Sequence, residues 1–195
     1  MKAGRIIALT VVLVLLGAWT YAADCNNGGR YEDMDDGTVT DCRTGLTWLK
    51  YAQCTDPLNG IMNIYGTLSW FNAMKWVRGV SHGMCGLTDG SSPGDWRLPT
   101  KTELMAMVEY AKGRYANPAL TNAAGTGKST NGDPFDDLQT NYYFWSSTTH
   151  AADASSAWSL YMYDGAMVAS SKTDYCFVWP VRAGQSASFG PLTVN

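Results

Sequence analysis

The chain has few of the groups that metal-dependent or hydrolytic chemistry uses. Only two histidines, His82 and His150, occur among its 195 residues, and no cysteine pair has the Cys-x-x-Cys spacing. A zinc site needs three or four such ligands, so the sequence predicts no metal site of this kind. The nucleophile-elbow pattern Gly-x-Ser-x-Gly is also absent, and no carboxylate pair stands out as acid and base. These absences argue against zinc enzymes and serine hydrolases.

Only one stretch, residues 6–16, is apolar enough to suggest a membrane or an export signal. Lys2 and Arg5 precede it, and small residues follow it. This order predicts a signal peptide over residues 1–22 and a single mature domain over residues 23–195. An uncleaved membrane anchor is the alternative, although the run is short for a bilayer span. We therefore expect a periplasmic, extracellular or cell-surface protein, with no membrane insertion after cleavage.

Positive charge is too scarce for a nucleic-acid partner. The predicted leader holds two of the 14 Lys and Arg residues and none of the 17 Asp and Glu residues, so the mature formal charge is 12 minus 17, or −5. Proteins that bind nucleic acid need a basic face to neutralise phosphates, so no nucleic-acid partner is predicted. Hydrophobic residues make up 46% of the chain and charged residues 16%, which is typical of a globular protein.

Two acidic clusters and one glycine-rich string match ligand-binding motifs only in part. Residues 33–36 and 133–137 contain several aspartates, but neither cluster has the spacing and final Glu of an EF-hand loop. Because Asp is common in turns, we interpret both as turns, and a structural calcium ion is the one cofactor they leave open. The string 125–130 has Asn122 where a phosphate-binding loop needs Gly, so no nucleotide is expected.

The N-terminal two thirds predict a hairpin followed by two helices. The hairpin turns at residues 35–37, where Gly supplies the turn conformation. A short amphipathic helix is predicted from Ser69 to Arg78, and its inner face consists of Trp70, Phe71, Met74 and Val77. A second helix follows the capping box of Thr100 and Glu103 and ends at Gly113. Its core face consists of Leu104, Met107, Val108 and Ala111.

Residues 144–182 have the clearest strand pattern. Within them one set of side chains alternates with another, which places the first toward the core and the second on an open face. The core set is Trp158, Leu160 and Met162, and the open set is Ser159, Tyr161 and Tyr163. A hairpin turn is predicted at Asp164-Gly165. The open face is rich in Tyr and Ser, a composition suited to binding, although a half-solvated sheet with no ligand has the same pattern.

Six strings, in this order, resemble the Lcl C-terminal domain family over roughly residues 30–185. The strings are Asp36-Gly37-Thr38-Val39-Thr40-Asp41, Thr44-Gly45-Leu46-Thr47-Trp48, Gly86-Leu87-Thr88-Asp89-Gly90, Asp95-Trp96-Arg97-Leu98-Pro99-Thr100 with Glu103-Leu104, Trp145-Ser146-Ser147, and Val178-Trp179-Pro180-Val181-Arg182. The resemblance implies an α+β fold of the C-type-lectin-like kind, in the formylglycine-generating-enzyme branch. Such a fold has two helices, a small twisted antiparallel sheet and long loops, which agrees with the elements predicted above.

The resemblance also assigns roles to the five cysteines. Similar members carry cysteines at the positions of Cys54 and Cys85, which implies a Cys54–Cys85 disulfide. Cys25–Cys42 is then the second pair and Cys176 a free thiol; a Cys42–Cys176 pair with Cys25 free is the alternative. The related oxidases use two cysteines near the C-terminus, but Cys176 has no partner close by in sequence. An oxidase activity is therefore the least favoured function, and we predict that the protein is not an enzyme.

The function that the resemblance implies is binding of a glycan or a surface protein. Net acidity argues against a sulfated polyanion as the ligand. Some similar domains are variable proteins of diversity-generating retroelements, whose substitutions lie on the solvent side of the C-terminal strands. The corresponding candidate ligand-binding positions are Ser159, Tyr161, Tyr163, Asp164, Ala166, Val168, Ser170, Tyr175, Cys176 and Phe177. The fixed framework would be Trp158, Leu160, Met162, Trp179 and Arg182. The alternative is a structural envelope or assembly module that uses the same face for subunit contact; the sequence does not predict the oligomeric state.

Overall fold

A computed structural model describes residue 25 and residues 28–58, 60–61 and 65–184; the signal-peptide prediction lies outside them. The described residues form nine strands and two α-helices. The strands are β1 (Tyr31–Asp33), β2 (Thr38–Asp41), β3 (Leu46–Leu49), β4 (Thr67–Leu68), β5 (Tyr143–His150), β6 (Asp153–Tyr161), β7 (Ala166–Ser171), β8 (Cys176–Phe177) and β9 (Val181–Ala183). The helices are α1 (Trp70–Trp76), which a 3-10 turn (Val77–Gly79) extends, and α2 (Lys101–Val108). The α+β class is thus confirmed.

The first sheet is antiparallel, with strand order β1-β2-β3-β9, so its strands come from both ends of the described chain. The predicted turn between β1 and β2 is confirmed. Gly37 has φ +85°, and a Cβ atom there would lie 2.5 Å from the carbonyl oxygen of Gly86. Glycine is therefore required both by the backbone conformation and by the close approach of the neighbouring loop.

The second sheet has the order β4-β8-β5-β6-β7 and is antiparallel except where β5 pairs with β8. The expectation of one small sheet therefore differs from the structure, which has two. Because β7 is an edge strand and β8 lies beyond β5, the connection between them passes across the ends of β6 and β5.

Tryptophans join the two sheets through one buried core. The indole N–H of Trp179 donates to the carbonyl of Leu49 at 2.8 Å, and that of Trp145 donates to the carbonyl of Leu68 at 2.8 Å. These two bonds connect strands distant in sequence and satisfy indole donors that burial would otherwise leave unpaired. Aromatic packing between Trp48 and Trp179 continues the core, with ring centroids 5.4 Å apart.

The second helix follows the sequence prediction at its start and on its buried face. Thr100 Oγ1 accepts from the Glu103 N–H at 3.2 Å, and Glu103 Oε2 accepts from the Thr100 N–H at 2.7 Å. This capping box satisfies two amides of the first turn, and the predicted core side chains are buried. The helix ends at Val108, earlier than the predicted Gly113.

The first helix buries the predicted face only in part: Val77 is buried, and Trp70 and Met74 pack partly buried against the core. Ala73, Trp76 and Val77 point into the core, whereas Phe71 is 64% exposed. The prediction that Phe71 lies in the core is therefore wrong. A helix of seven residues has too few turns for periodicity to fix its orientation, and the large side chain of Trp76 takes the inward position.

Two disulfides are present, Cys25–Cys42 and Cys54–Cys85, with Cα–Cα distances of 5.4 and 5.3 Å. The predicted pairing is confirmed, Cys176 is a buried free thiol, and the alternative Cys42–Cys176 bridge is wrong. Disulfides persist in oxidising compartments, so they indicate a location outside the cytoplasm. Within the part of the chain that the structure describes, no helix is long and apolar enough to cross a membrane.

Candidate ligand-binding surface

Strands β5, β6 and β7 bring the predicted open-face residues together. Their register pairs Tyr143 with Tyr161 and Tyr161 with Ala166, and it pairs Ser159 with Val168. Residues directly opposite each other in antiparallel strands point to the same side of the sheet. The alternation predicted from the sequence therefore places Tyr161, Ala166 and Val168 on one face, as expected. The loop after β6 closes at Gly165, whose N–H donates to the Tyr161 carbonyl at 2.9 Å.

Three tyrosines form a continuous stack at one end of this face. The rings of Tyr143 and Tyr161 have centroids 4.8 Å apart and an interplanar angle of 26°; those of Tyr161 and Tyr163 are 6.0 Å apart at 20°. Tyr143 is 39% and Tyr163 40% exposed, so the stack contacts solvent although each ring also packs on a neighbour. We name Tyr143, Tyr161 and Tyr163 the tyrosine ladder. Exposed rings held rigid in this way offer contact area at low entropic cost.

Three predicted binding residues are instead buried. Ser159 is fully buried, and Cys176 and Phe177 are each 4% exposed, so the prediction that they face solvent is wrong. Ser159 Oγ shares a 2.7 Å hydrogen bond with Ser170 Oγ. Phe177 lies between the rings of Tyr142 and Phe144, at 5.3 and 5.4 Å. The local alternation therefore predicts exposure for residues that the folded protein buries.

The other predicted positions remain at the surface. Asp164 and Tyr175 are exposed, Tyr175 at 70%, and Val168 is 37% exposed. Asp164 also stabilises its own turn, because its Oδ1 accepts from the Ala166 N–H at 2.9 Å. Ala166 and Ser170 are partly exposed. Ala166, Val168 and Ser170 extend the surface along β7 away from the tyrosine ladder.

The predicted framework is mostly buried, with two departures. Leu160, Met162 and Trp179 have no exposed side chain. Trp158, which the alternation places in the core, is only partly buried, and Lys101 Nζ lies 3.2 Å from its ring centroid. Arg182 is partly exposed but holds the frame through an ion pair with Asp89 at 3.1 Å.

Sequence reasoning missed Tyr142 and Tyr143, which precede the predicted run at Phe144. Tyr143 is part of the tyrosine ladder, and Tyr142 is 53% exposed with its ring edge against Phe177. Their adjacency to a strong strand pattern is the signal that could have found them. A cleft of about 310 Å³ lined by Asn117 and Lys128 adjoins the ladder, since the Asn117 N–H donates to the Tyr163 carbonyl at 2.7 Å.

The surroundings of the free thiol, Cys176, lower its reactivity. Burial, followed by the nearby Asp174 carboxylate, raises the pKa of Cys176 to about 12. The thiol is therefore protonated at neutral pH, and the thiolate that attacks substrates or binds soft metals is scarce.

In both acidic clusters interpreted as turns, aspartate carboxylates already form ion pairs or accept hydrogen bonds. Asp33 pairs with Lys50 at 2.5 Å and accepts the Asp35 N–H at 3.1 Å, and Asp133 accepts the Ala123 N–H at 2.7 Å. Two groups in the described chain have metal-ligand spacing, Cys25–Glu32–Cys42 and Cys54–Asp56–Cys85. In each group the two sulfurs are bonded to one another as a disulfide, so neither offers thiolate ligands.

The strings that carried the resemblance meet in one buried junction. Arg97 and Val181 exchange backbone hydrogen bonds at 3.0 and 2.9 Å, and the Arg182 guanidinium lies 5.3 Å from the centroid of the Trp96 ring. A family model described as the Lcl C-terminal domain matches residues 37–182.

This chain belongs to the Lcl C-terminal domain family. No curated protein matches it. In this member of the Lcl family the matched strings build the frame, because Trp96, Trp145 and Trp179 are fully buried. The tyrosine ladder lies within the matched range. None of its three residues belongs to those strings.

Proposed function

We propose that this protein is a secreted or cell-surface binding domain with a C-type-lectin-like fold. In this proposal the tyrosine ladder contacts a glycan or a surface protein. The observation that supports it is the stack of partly exposed rings on a rigid sheet. Proteins normally bury aromatic rings, and those left exposed in a contiguous group mark interaction sites. The disulfides agree with secretion, to either the periplasm or the outside of the cell.

The residues of the surface support binding over catalysis. Tyr rings stack against sugar rings and protein side chains alike, and their hydroxyls add hydrogen bonds at the edge of the contact. Asn117 and Lys128, in the adjoining cleft, supply polar groups within the same region. By contrast the one free thiol, Cys176, is buried and protonated, which disfavours an oxidase reaction that starts from a thiolate.

The test uses the double variant Tyr161→Ala with Tyr163→Ala on a printed glycan array and on an array of purified extracellular proteins. We expect loss of every signal that the wild type gives, because two of three stacked rings are removed. Tyr161→Phe with Tyr163→Phe retains the stack and separates ring contact from hydroxyl bonding. Tyr110→Ala is the matched control: Tyr110 is 41% exposed, similar to Tyr163 at 40%, but lines a different cleft.

A melting temperature measured for each variant shows whether the fold is intact. If the alanine variant folds and still binds with wild-type strength, the ladder is not the binding surface. If Tyr110→Ala weakens binding and the ladder variant does not, the site lies at the other cleft.

A further inference from the structure

The rings of the tyrosine ladder cover one another's faces. Tyr161 lies between Tyr143 and Tyr163, at centroid distances of 4.8 and 6.0 Å and interplanar angles of 26° and 20°. Both faces of the middle ring are therefore occupied, and each outer ring has one face turned toward it. Within the described chain none of the three hydroxyls has a hydrogen-bond partner. The ladder thus presents ring edges, free hydroxyls and only two outer faces to a ligand.

This arrangement of rings suits a polypeptide better than a sugar. An aromatic ring is negative over its face and positive at its edge. The C–H groups of a sugar ring stack on the negative face, and neighbouring rings already cover most faces of the ladder. Positive edges and free hydroxyls instead attract carbonyl oxygens, carboxylates and the faces of other aromatic rings. A polypeptide displays these three kinds of group together.

The cleft beside the ladder offers hydrogen-bond donors. Asn117 and Asn131 line it, and their side-chain oxygens are already engaged: Asn117 Oδ1 accepts from Thr140 Oγ1, and Asn131 Oδ1 accepts the Asp137 N–H at 2.8 Å. Their amide nitrogens remain available as donors. Lys128 is the only charged residue among the described lining residues and forms no ion pair within the described chain. Donors around one cation fit a carboxylate.

The cleft and the ladder form one continuous surface. The Asn117 N–H donates to the Tyr163 carbonyl at 2.7 Å, so the wall of the cleft is bonded to the backbone of the last ladder residue. Lys112 adds a positive charge at the same end, since a Cβ atom at Gly165 would lie 3.4 Å from the Lys112 Cβ. This lysine offsets the exposed Asp164 carboxylate of the same turn. A single ligand can therefore contact the rings and the cleft together.

We propose that the partner of this surface is a protein segment that places an Asp or Glu side chain in the cleft, against Lys128. Its main-chain carbonyls and an aromatic side chain then contact the edges and hydroxyls of the ladder. This inference rests on the binding function proposed above, and it narrows the ligand class from a glycan or a protein to an acidic protein segment. The ion pair fixes the position of the segment, and the rings supply the contact area.

The experiment uses a library of randomised, disulfide-cyclised peptides displayed on phage. Peptides are selected on the wild type and counter-selected on the variant Tyr161→Ala with Tyr163→Ala, so that only ladder-dependent binders remain. We expect these binders to be enriched in Asp or Glu close to an aromatic residue. Each is then synthesised with its acidic residue and, separately, with the matching amide, Asn or Gln. Fluorescence polarisation measures the affinity of both forms.

A double-mutant cycle locates the carboxylate. We expect Lys128→Ala to weaken binding of the acidic peptide by about tenfold or more and to leave the amide peptide nearly unchanged, because the two charged groups interact with each other. Lys75→Ala removes the same charge from an exposed position on α1 and is the matched control; both peptides should bind it like the wild type. A melting temperature verifies folding, and Lys128→Gln replaces Lys128→Ala if that variant unfolds.

Ladder-dependent peptides that lack an acidic residue, or acidic peptides that bind Lys128→Ala as tightly as the wild type, overturn the proposal. A wild type that yields no ladder-dependent peptide overturns it too. Ladder-dependent signals on the glycan array would then leave the proposed binding function in place, with a glycan as the ligand. If peptides, glycans and purified proteins all give no ladder-dependent signal, the binding function itself is overturned.

Discussion

Among single residues, Cys176 shows most directly how burial changes chemistry. The sequence places it beside exposed positions, yet only 4% of its surface is accessible. Desolvation disfavours the thiolate, which raises the pKa of the thiol. A cysteine at a surface position would be accessible, and burial would not raise the pKa of its thiol.

This difference gives a prediction for thiol labelling. At pH 8 a maleimide should leave the native protein unmodified over a time in which it fully labels free cysteine. In denaturant without reductant it should label one thiol per chain, because four of the five cysteines are in disulfides. Rapid labelling of the native protein would show that Cys176 is accessible in solution and contradict its burial.

Sequence reasoning was also least accurate for the burial of individual residues. Alternation along β6 separates the two faces correctly, because it depends on local backbone geometry. It does not separate exposed from covered positions, which is why Ser159 was assigned to the surface. The burial of Ser159 arises from tertiary packing, and nothing in the immediate sequence indicates it. Phe71 was misplaced for a related reason, since the orientation of a short helix is set by the core it meets.

Among the secondary-structure elements, α2 was predicted best, because its start is encoded in four consecutive residues. Thr100 and Glu103 satisfy each other's amides, and Arg97 adds a two-point ion pair with Glu103 at 2.8 and 2.6 Å. Burial acts to raise the pKa of Glu103, but the hydrogen bonds from Arg97 and from Thr100 together lower it. A lowered pKa means that the charged form stabilises the folded state.

The variant Glu103→Gln tests this coupling. The stabilising contribution of Glu103 is complete above its ordinary pKa of 4.5 and is lost as the pH falls below it. At pH 7 we expect Glu103→Gln to lower the free energy of unfolding by about 1 to 2 kcal/mol, because the amide keeps the cap but loses the charge-assisted hydrogen bonds from Arg97. At pH 3 the difference between variant and wild type should shrink. Urea unfolding at the two pH values measures both.

Glu109→Gln is the control for this comparison. Glu109 pairs with Arg43 at the surface, with side chains 66% and 50% exposed. Exposed pairs contribute little, so its effect should be below about 1 kcal/mol at pH 7. An equal loss in both variants would indicate that total charge, and not the ion pair between Arg97 and Glu103, determines the effect.

In the molecule as a whole, the residues that build the buried frame differ from the residues that form the candidate binding surface. The family strings were recognisable because they form the buried junction around Trp96, Val181 and Arg182. The fold class and the disulfide pairing followed from that recognition. The second sheet's strand order did not follow, because β8 joins it between β4 and β5 through contacts remote in sequence. The sequence prediction also missed Tyr143 of β5, because its position beside Tyr161 depends on strand pairing.

This separation predicts where related strains differ. If the surface is diversified, sequencing the gene in several isolates will show substitutions at the exposed positions and a near-copy of the segment in the neighbouring DNA. The positions expected to vary are Tyr161, Tyr163, Asp164, Ala166, Val168, Ser170 and Tyr175. Ser159, Cys176 and Phe177 should stay unchanged, because substitution there disturbs the core. Isolates identical over the whole segment would instead indicate a fixed partner.

The burial of five of the seven tryptophans in the described residues has a spectroscopic consequence. Trp48, Trp76, Trp96, Trp145 and Trp179 are each less than 2% exposed, and the ladder contains only phenol rings. Indole emission depends strongly on contact with water, so unfolding should shift it to longer wavelength. A ligand seated on the ladder stays outside the enclosed indoles and should leave their emission maximum in place. The protein therefore carries its own fluorescent reporter of folding, which remains usable while the binding surface is occupied or mutated.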